Sequence, residues 1–158
     1  MGQYHLIANI DKHEFIHPHR FGDGLKLLEF GCSATGTTTG LTILLAASNG
    51  RGGGDLNIDE NPGAGEVVGR WAGDRIAIIG DYFEEGDVPG LSKAEMEALW
   101  GDDEGAHAGW NDISKSVIAA MASDSYIRDD LRKRRDWASS GTANVLGEPW
   151  PADQAGGW

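Results

Sequence analysis

Apolar and polar residues alternate in two short segments, and a polar turn interrupts each of them. The first segment covers 3–17 with its interruption at 11–12, and the second covers 66–79 with its interruption at 72–74. A period of two is typical of strands that bury one face, and a short polar break between two such runs is typical of a hairpin. The pattern predicts two antiparallel hairpins in one small sheet, with strands over 3–10 and 13–17 and over 66–71 and 75–79. The residues expected to contact the sheet's core or its opposite face include Ile7, Ile10, Ile76 and Ile78.

Helical patterns and capping residues occupy most of the remaining sequence. Ser92 with Glu95 three residues later is a capping-box signature, and a threonine hydroxyl at Thr37 could cap the apolar run that follows it. The predicted helices cover 25–30, 37–47, 92–100, 112–121 and 125–138. Helices packed on a small antiparallel sheet make an α+β fold. We expect one globular domain over 1–138 and an irregular tail over 139–158.

The composition is that expected of a cytoplasmic protein that makes no direct nucleic-acid contacts. A single cysteine among 158 residues excludes an intramolecular disulfide, and the longest apolar run, 41–47, is far shorter than the ~20 residues that span a bilayer. No signal-peptide pattern precedes the first strand, and no membrane partner is expected. The formal net charge of −12 disfavours phosphate contacts. The basic run 132–135 follows two aspartates at helical pair spacing, which favours a solvated helix face.

Two glycine-containing segments resemble ligand loops but each lacks a required residue. The segment 55–66 places oxygen ligands as an EF-hand calcium loop does. However, Glu60 stands where the sharp turn of such a loop normally needs glycine. An acidic loop within the long connection 49–65 is therefore favoured over a calcium site. The segment 31–38 has the glycine spacing of a phosphate loop but no lysine, which favours a tight turn between two helices.

Histidines near the first hairpin and the single cysteine are the other candidates for metal or thiol chemistry. His13, His17 and His19 could converge on a metal with Asp23, but Pro18 distorts the strand between them, which favours surface histidines. Cys32 has no placed base, so a small buried residue is favoured over an activated thiol. No metal site and no cofactor are predicted.

Charged residues at the ends of the predicted hairpins form the candidate site. Carboxylates beside arginine and lysine can do acid–base work or hold a polar ligand. The alternative is that they stabilise the turns, because aspartate commonly accepts a hydrogen bond from a backbone N–H two residues on. The candidate ligand-binding residues are Lys12, Glu29, Asp74, Arg75 and Asp81.

Several motifs in the first half of the chain resemble a known protein group. They are Met1-Gly-Gln-Tyr4, Asn9-Ile-Asp-Lys12, the run from His17 to Phe30, Trp71-Ala-Gly-Asp-Arg-Ile76 and Gly80-Asp-Tyr82. Over about 1–85 the sequence is similar to small uncharacterised proteins of actinobacterial phages and their hosts, with more distant similarity to proteins of halophilic archaea and fungi. The resemblance implies a phage-type accessory or anti-defence factor in the host cytosol, and it carries no activity with it.

These observations predict a non-catalytic binding protein that engages a host protein or a nucleotide-like ligand. A first alternative is a small hydrolase that uses Asp74 and Asp81 as acid and base. A second alternative is an acidic DNA-mimic inhibitor, which the negative net charge suggests. The sequence leaves the oligomeric state open.

Overall fold

One mixed sheet of four strands lies at the centre of the protein. The computed structural model describes residues 3–48, 55–56, 62–101 and 107–138. The strands are β1 (His5–Asn9), β2 (Glu14–Ile16), β3 (Ile76–Gly80) and β4 (Asn111–Asp112). Their order is β3-β1-β2-β4, and β1 pairs antiparallel with both β2 and β3 whereas β2 pairs parallel with β4.

Helices surround this sheet, so the predicted α+β class is confirmed. A 3-10 turn at Pro18–Phe21 follows β2. The helices are α1 (Leu27–Gly31), α2 (Thr37–Leu45), α3 (Pro62–Val67), α4 (Lys93–Trp100), α5 (Ser114–Met121) and α6 (Ser125–Ala138). Among the described residues, no helix is both long enough and apolar enough to cross a membrane.

The first hairpin forms as predicted, and its alternation buries both faces of the sheet. Ile7 lies opposite Ile16 in the ladder between β1 and β2. Ile7 and Ile16 belong to one core cluster with the helical residues Val117 and Ile118. A second cluster lies on the other face of the sheet, where the alternate residues of β1 point. It includes Leu6, Ala8, Ile10, Phe15, Met96 and Leu99. The sheet therefore separates two cores.

The second predicted hairpin is wrong in its first strand. The residues 62–67 form α3, because Ala64 and Val67 pack into the core and Pro62 stands at the first helical position, where its missing N–H costs little. The following turn places Trp71 fully inside the core. Its backbone N–H donates to the carbonyl of Leu44 (2.9 Å) at the end of α2. Tertiary contacts with α2, rather than the local alternation of apolar and polar residues, therefore determine the conformation of this segment.

The second strand of that predicted hairpin does exist, as β3, but its partner is β1. Ile79 of β3 lies opposite Leu6 of β1. Ile7, Ile10 and Ile76 contact the core as expected. Ile78 does not, because β3 is at the edge of the sheet and leaves this side chain 45% exposed.

The start of α2 is capped by a residue other than the predicted threonine. The backbone N–H and the hydroxyl of Thr37 both donate to Oδ2 of Asp23, at 2.8 and 2.7 Å. A side chain at Gly36 would collide with Asp23 and Ser33, so glycine is needed for this close approach. Because a carboxylate of the protein already sits at these amides, the 31–38 segment is a structural turn rather than a phosphate loop.

The remaining helix predictions differ from the structure mainly at their ends. Ser92 caps α4 by accepting the N–H of Glu95 (3.2 Å), and α6 spans 125–138 as predicted. Asp112 was expected in a helix but lies in β4, where its Oδ1 accepts the N–H of Ser114 and caps α5 (2.9 Å). Most of the predicted loop 49–65 and all of the tail 139–158 lie outside the described residues, as do the expected end cap of α2 at 49–50 and much of the candidate calcium loop.

Candidate functional site

The structure brings Lys12 and Asp74 together at one end of the β1–β3 ladder. The ammonium group of Lys12 contacts Oδ2 of Asp74, and Nδ2 of Asn9 donates to the same oxygen (2.8 Å). These two hydrogen bonds, first that of Lys12, hold the pKa of Asp74 below its usual value. Oδ1 of Asn9 in turn accepts the backbone N–H of Lys12 (2.8 Å). The carboxylate therefore fastens the turn of the first hairpin.

Arg75 is paired with the same turn. Its backbone N–H donates to Oδ2 of Asp11 (2.7 Å), and its Nε donates to Oδ1 (2.8 Å). The backbone hydrogen bond is the main reason that the pKa of Asp11 lies below its ordinary value, with the guanidinium adding to the effect. We call Asn9, Asp11, Lys12, Asp74 and Arg75 the paired end. Its charged groups satisfy one another, as turn-stabilising residues do.

Glu29 and Asp81 lie elsewhere. Oε2 of Glu29 accepts the N–H of Lys26 (3.1 Å) at the start of α1, and Oδ1 of Asp81 accepts the N–H of Tyr4 (3.0 Å). Asp81 follows β3 and Asp74 precedes it, so the two carboxylates are separated by the length of a strand, roughly 20 Å. Two carboxylates that act on one bond as acid and base lie within about 10 Å of each other. The geometry does not unite Asp74 and Asp81.

A cavity of about 450 Å³ opens beside Asp81, at the opposite end of the ladder from the paired end. This volume lies within the range of small-molecule sites, roughly 300–1,000 Å³. The cavity lies between the start of β1, the end of β2 and the end of α4. We call it the histidine cavity; its lining residues are Tyr4, Leu6, His17, Leu25, Asp81, Trp100, Gly101 and His107.

His17 contributes a neutral imidazole to this cavity. Burial, with a smaller contribution from the neighbouring His19, lowers its pKa from the usual 6.5 to about 4. The backbone N–H of His19 donates to Nδ1 of His17 (3.3 Å). Because Nδ1 accepts, the single proton of the neutral ring is assigned to Nε2. His17 is therefore a hydrogen-bond donor at neutral pH.

His107 has the opposite assignment. Its Nδ1 lies 2.6 Å from the carbonyl oxygen of Leu99. A carbonyl can only accept, so Nδ1 carries the proton when the ring is neutral and Nε2 is an acceptor. The ring also packs against Phe15, with centroids 4.7 Å apart, and its backbone φ of 62° is unusual for a residue other than glycine. The two histidines of the cavity therefore offer one donor and one acceptor.

Trp100 adds a buried donor without a partner. Its Nε1 is inaccessible to solvent and makes no hydrogen bond with the described part of the chain. A buried donor left unpaired costs about 1–3 kcal/mol, which a ligand acceptor would recover. Trp110, by contrast, donates from Nε1 to the carbonyl of Glu95 (3.0 Å) and is a core residue. Trp100 packs against the same core with its indole N–H unused.

A larger cavity, of about 690 Å³, lies between α2 and the start of α6. The hydroxyl of Thr39 donates to the carbonyl of Ala34, and that of Thr42 donates to Thr38. The hydroxyl of Thr35 donates to Asp130. Because its threonine hydroxyls already have partners, this cavity is a weaker candidate than the histidine cavity.

Two further expectations concern metal and thiol chemistry. Within the described ranges, no group of three histidine, cysteine, aspartate or glutamate side chains is placed to hold a metal ion. Asp23 is engaged by Thr37 instead. Cys32 was expected to be buried, and it is exposed because it follows directly on the short helix α1 at the surface.

Of the residues that line the histidine cavity, the sequence had singled out Asp81 as a candidate ligand-binding residue and His17 only as a metal ligand. It had not pointed to Trp100 or to His107, which follows a polar, glycine-rich segment. His17, Trp100 and His107 meet because α4 packs against the first hairpin, more than 75 residues along the chain. The available signal was the pair of histidines that flank apolar strand and helix ends.

Comparison with known proteins gives no match: no family model, no curated protein and no solved structure resembles the chain. The resemblance to phage and host proteins therefore stays a prediction. Functional inference has to come from the geometry of the site.

Proposed function

We propose that this protein is a non-catalytic binding protein that holds a small, uncharged heteroaromatic molecule in the histidine cavity, with a nucleoside as the concrete ligand class. The observation that carries the proposal is a cavity with one donor and one acceptor imidazole, whose lining residue Trp100 also has a buried indole N–H without a partner among the described residues. Polar groups of this kind cost stability in the empty protein, which is typical of a site that keeps them for a ligand.

The chemistry of the lining favours a planar heterocycle. A nucleobase has adjacent donors and acceptors on its edge and an apolar face, and proteins hold such bases by edge hydrogen bonds and by stacking on aromatic or imidazole rings. His17 and Trp100 supply donors, and Nε2 of His107 supplies an acceptor. Leu6 and Leu25 supply apolar contact. A purely aliphatic ligand would leave these polar groups unpaired.

The charge of the lining favours a ligand without phosphate. Among the described residues that line the cavity, Asp81 is the one carboxylate, and none is lysine or arginine. The chain's net charge of −12 adds to the repulsion of an anion. The predicted nucleotide-like ligand is therefore narrowed to a nucleoside or free base, in which a hydroxyl or amino group can donate to Asp81.

Binding is favoured over hydrolysis because the buried imidazole of His17 is a poor base at neutral pH. A general base works best when its pKa is close to the working pH, and that of His17 is about 4. Its Nδ1, the nitrogen that could take a proton, is already occupied by the His19 N–H. The hydrolase alternative also lacks its pair, since Asp74 lies at the other end of β3.

Isothermal titration with adenosine, guanosine, cytidine and uridine tests the proposal, with the corresponding monophosphates in parallel. We expect saturable binding of at least one nucleoside and weaker binding of its monophosphate. Replacement of the donor by Trp100→Phe removes one hydrogen bond to the ligand, so the affinity falls about tenfold.

Trp71→Phe is the matched control. Trp71 also has a buried Nε1 without a partner among the described residues, but it belongs to the other core and does not line the cavity. Its substitution should leave nucleoside affinity unchanged. Absence of binding by all four nucleosides at millimolar concentration, or an equal loss in both variants, would refute the proposal. Engagement of a host protein and DNA mimicry stay predictions from the sequence.

A further inference from the structure

Among the described residues, no strand pairs with the outer edge of β3. The N–H of Ile10 donates to the carbonyl of Arg75 (2.9 Å), and the N–H of Asp81 donates to the carbonyl of Tyr4 (3.0 Å). Hydrogen-bonded and non-hydrogen-bonded residue pairs alternate in an antiparallel ladder. The backbone N–H and C=O groups of the odd-numbered residues from 75 to 81 therefore point toward β1. Ile76, Ile78 and Gly80 therefore point their N–H and C=O groups away from the sheet.

Within the described part of the chain, β3 itself carries no lysine, proline or bulge. Natural edge strands carry lysine, proline or a bulge that blocks pairing with another chain. The sequence of β3 is Ile-Ala-Ile-Ile-Gly, its register with β1 is continuous, and Ile78 at its centre is 45% exposed. Among the described residues, β1 is the sole strand that pairs with it.

We propose that β3 pairs antiparallel with β3 of a second copy of this chain, around a two-fold axis at Ile78. In that register Ile78 lies opposite its own copy and Ile76 lies opposite Gly80. All of these residues point their backbone groups outward, so each pair can exchange two backbone hydrogen bonds. The exposed Ile78 side chains cover each other.

Charge complementarity favours this register, and it favours a second copy of the chain as the pairing partner. Residues 75 and 81 are equidistant from Ile78, so Arg75 of each chain lies opposite Asp81 of the other. These positions form non-hydrogen-bonded pairs, in which side chains approach closest. A shift by two residues in either direction would instead set Arg75 opposite the apolar Ile79 or Phe83. Arg75 is 62% exposed and keeps its backbone bond to Asp11 in either state.

The two ion pairs also offset a general repulsion. Each chain carries a net charge of −12, which opposes self-association unless opposite charges meet at the contact. A self-complementary patch of this kind closes as a two-fold dimer and leaves no free edge at β3. The sheet becomes continuous through both copies.

Sedimentation equilibrium of the full chain from micromolar to millimolar concentration tests the pairing. We expect a concentration-dependent species of twice the 16.9 kDa monomer mass. Ile78→Lys places a charge at the two-fold axis and should weaken association at least about tenfold, because like charges then lie opposite each other. Because Ile78 is exposed, this variant should keep its fold. Its far-UV circular dichroism spectrum and melting temperature should match those of the wild-type protein at concentrations where the wild type is monomeric.

Complementary charge reversal tests the register itself. Arg75→Asp alone sets two carboxylates opposite each other, and Asp81→Arg alone sets two guanidinium groups opposite each other, so each variant should be monomeric. An equimolar mixture restores both ion pairs and should form a heterodimer. A wild-type chain that stays monomeric, a dimer that survives Ile78→Lys, or a mixture of the two charge variants that stays monomeric would each overturn the proposal.

Discussion

The two ends of the β1–β3 ladder differ in how their polar groups are satisfied. At the paired end, Asp74 and Asp11 each accept two hydrogen bonds, and these lower the pKa values of both carboxylates. At the other end, Trp100 keeps an unpaired indole N–H and His17 stays neutral in a cavity. The charged residues of the paired end bind one another, whereas the cavity combines one of the predicted carboxylates, Asp81, with neutral groups that the sequence did not single out as ligand-binding. Charge density in the sequence is therefore an incomplete guide to the candidate site of this fold.

The largest expected effect concerns pH and the cavity end. The pKa of His17 is about 4 in the folded protein and 6.5 in the unfolded chain, so the unfolded chain binds more protons between these values. The free energy of unfolding should therefore fall as the pH falls from 6.5 to 4, by about 3 kcal/mol for this residue. Urea unfolding at intervals across that range measures the slope.

Two variants separate His17 from its neighbours in this experiment. His17→Gln should remove most of the slope, whereas His19→Gln should remove a smaller part, because burial also lowers the pKa of His19. Asp11 and Asp74 contribute only at the acid end of this window, because their unfolded-state pKa is 3.8 and their folded-state pKa values lie below it. A slope that His17→Gln leaves unchanged would contradict the assignment of the buried, neutral imidazole.

A smaller effect is expected at the paired end from Asp74→Ala. Asn9 is fully buried and would lose the acceptor of its Nδ2, so we expect a loss of about 1–3 kcal/mol in the free energy of unfolding. Asp74→Asn is the control, because its side-chain oxygen can still accept from Asn9 and only the Lys12 ion pair is weakened. Equal losses in the two variants would show that the ion pair, rather than the buried hydrogen bond, stabilises this end.

The smallest effect is expected from Arg75→Ala. Its ion pair with Asp11 is exposed to solvent, and such pairs contribute about 1 kcal/mol or less. The backbone N–H of residue 75 still donates to Asp11 in the variant. Urea unfolding at micromolar protein concentration should show this small loss apart from any change in self-association. A loss above about 2 kcal/mol would mean that the guanidinium is an essential part of the paired end.

Local signals in the sequence were sufficient for the first hairpin, for the cap of α4 and for α6. Each depends on residues that are close in sequence, such as Ser92 and Glu95. The second hairpin was wrong because Trp71 and its neighbours take their conformation from the end of α2, some 25 residues earlier. Alternation cannot report such a contact.

The candidate site shows the same limit. The sequence correctly suggested that Lys12, Asp74 and Arg75 would be neighbours, because all three lie at strand ends and turns. The sequence could not show that Asn9 hydrogen-bonds to Asp74 and that Arg75 hydrogen-bonds to Asp11. Nor could it show that Asp81 lies a strand length away. His17, Trp100 and His107 converge through helix packing on the sheet, and no spacing rule encodes that convergence.

The position of β1 between β2 and β3 has a consequence for synthesis on the ribosome. β2 follows β1 within a few residues, but β3 begins at Ile76, 67 positions after Asn9. At about 5–20 residues per second, the nascent hairpin waits for roughly 3–13 seconds before its second neighbour has been made. During that interval the apolar β1 has one open edge. The speed of translation between codons 10 and 80 therefore determines how long the open edge of β1 in the nascent chain can pair with a wrong strand.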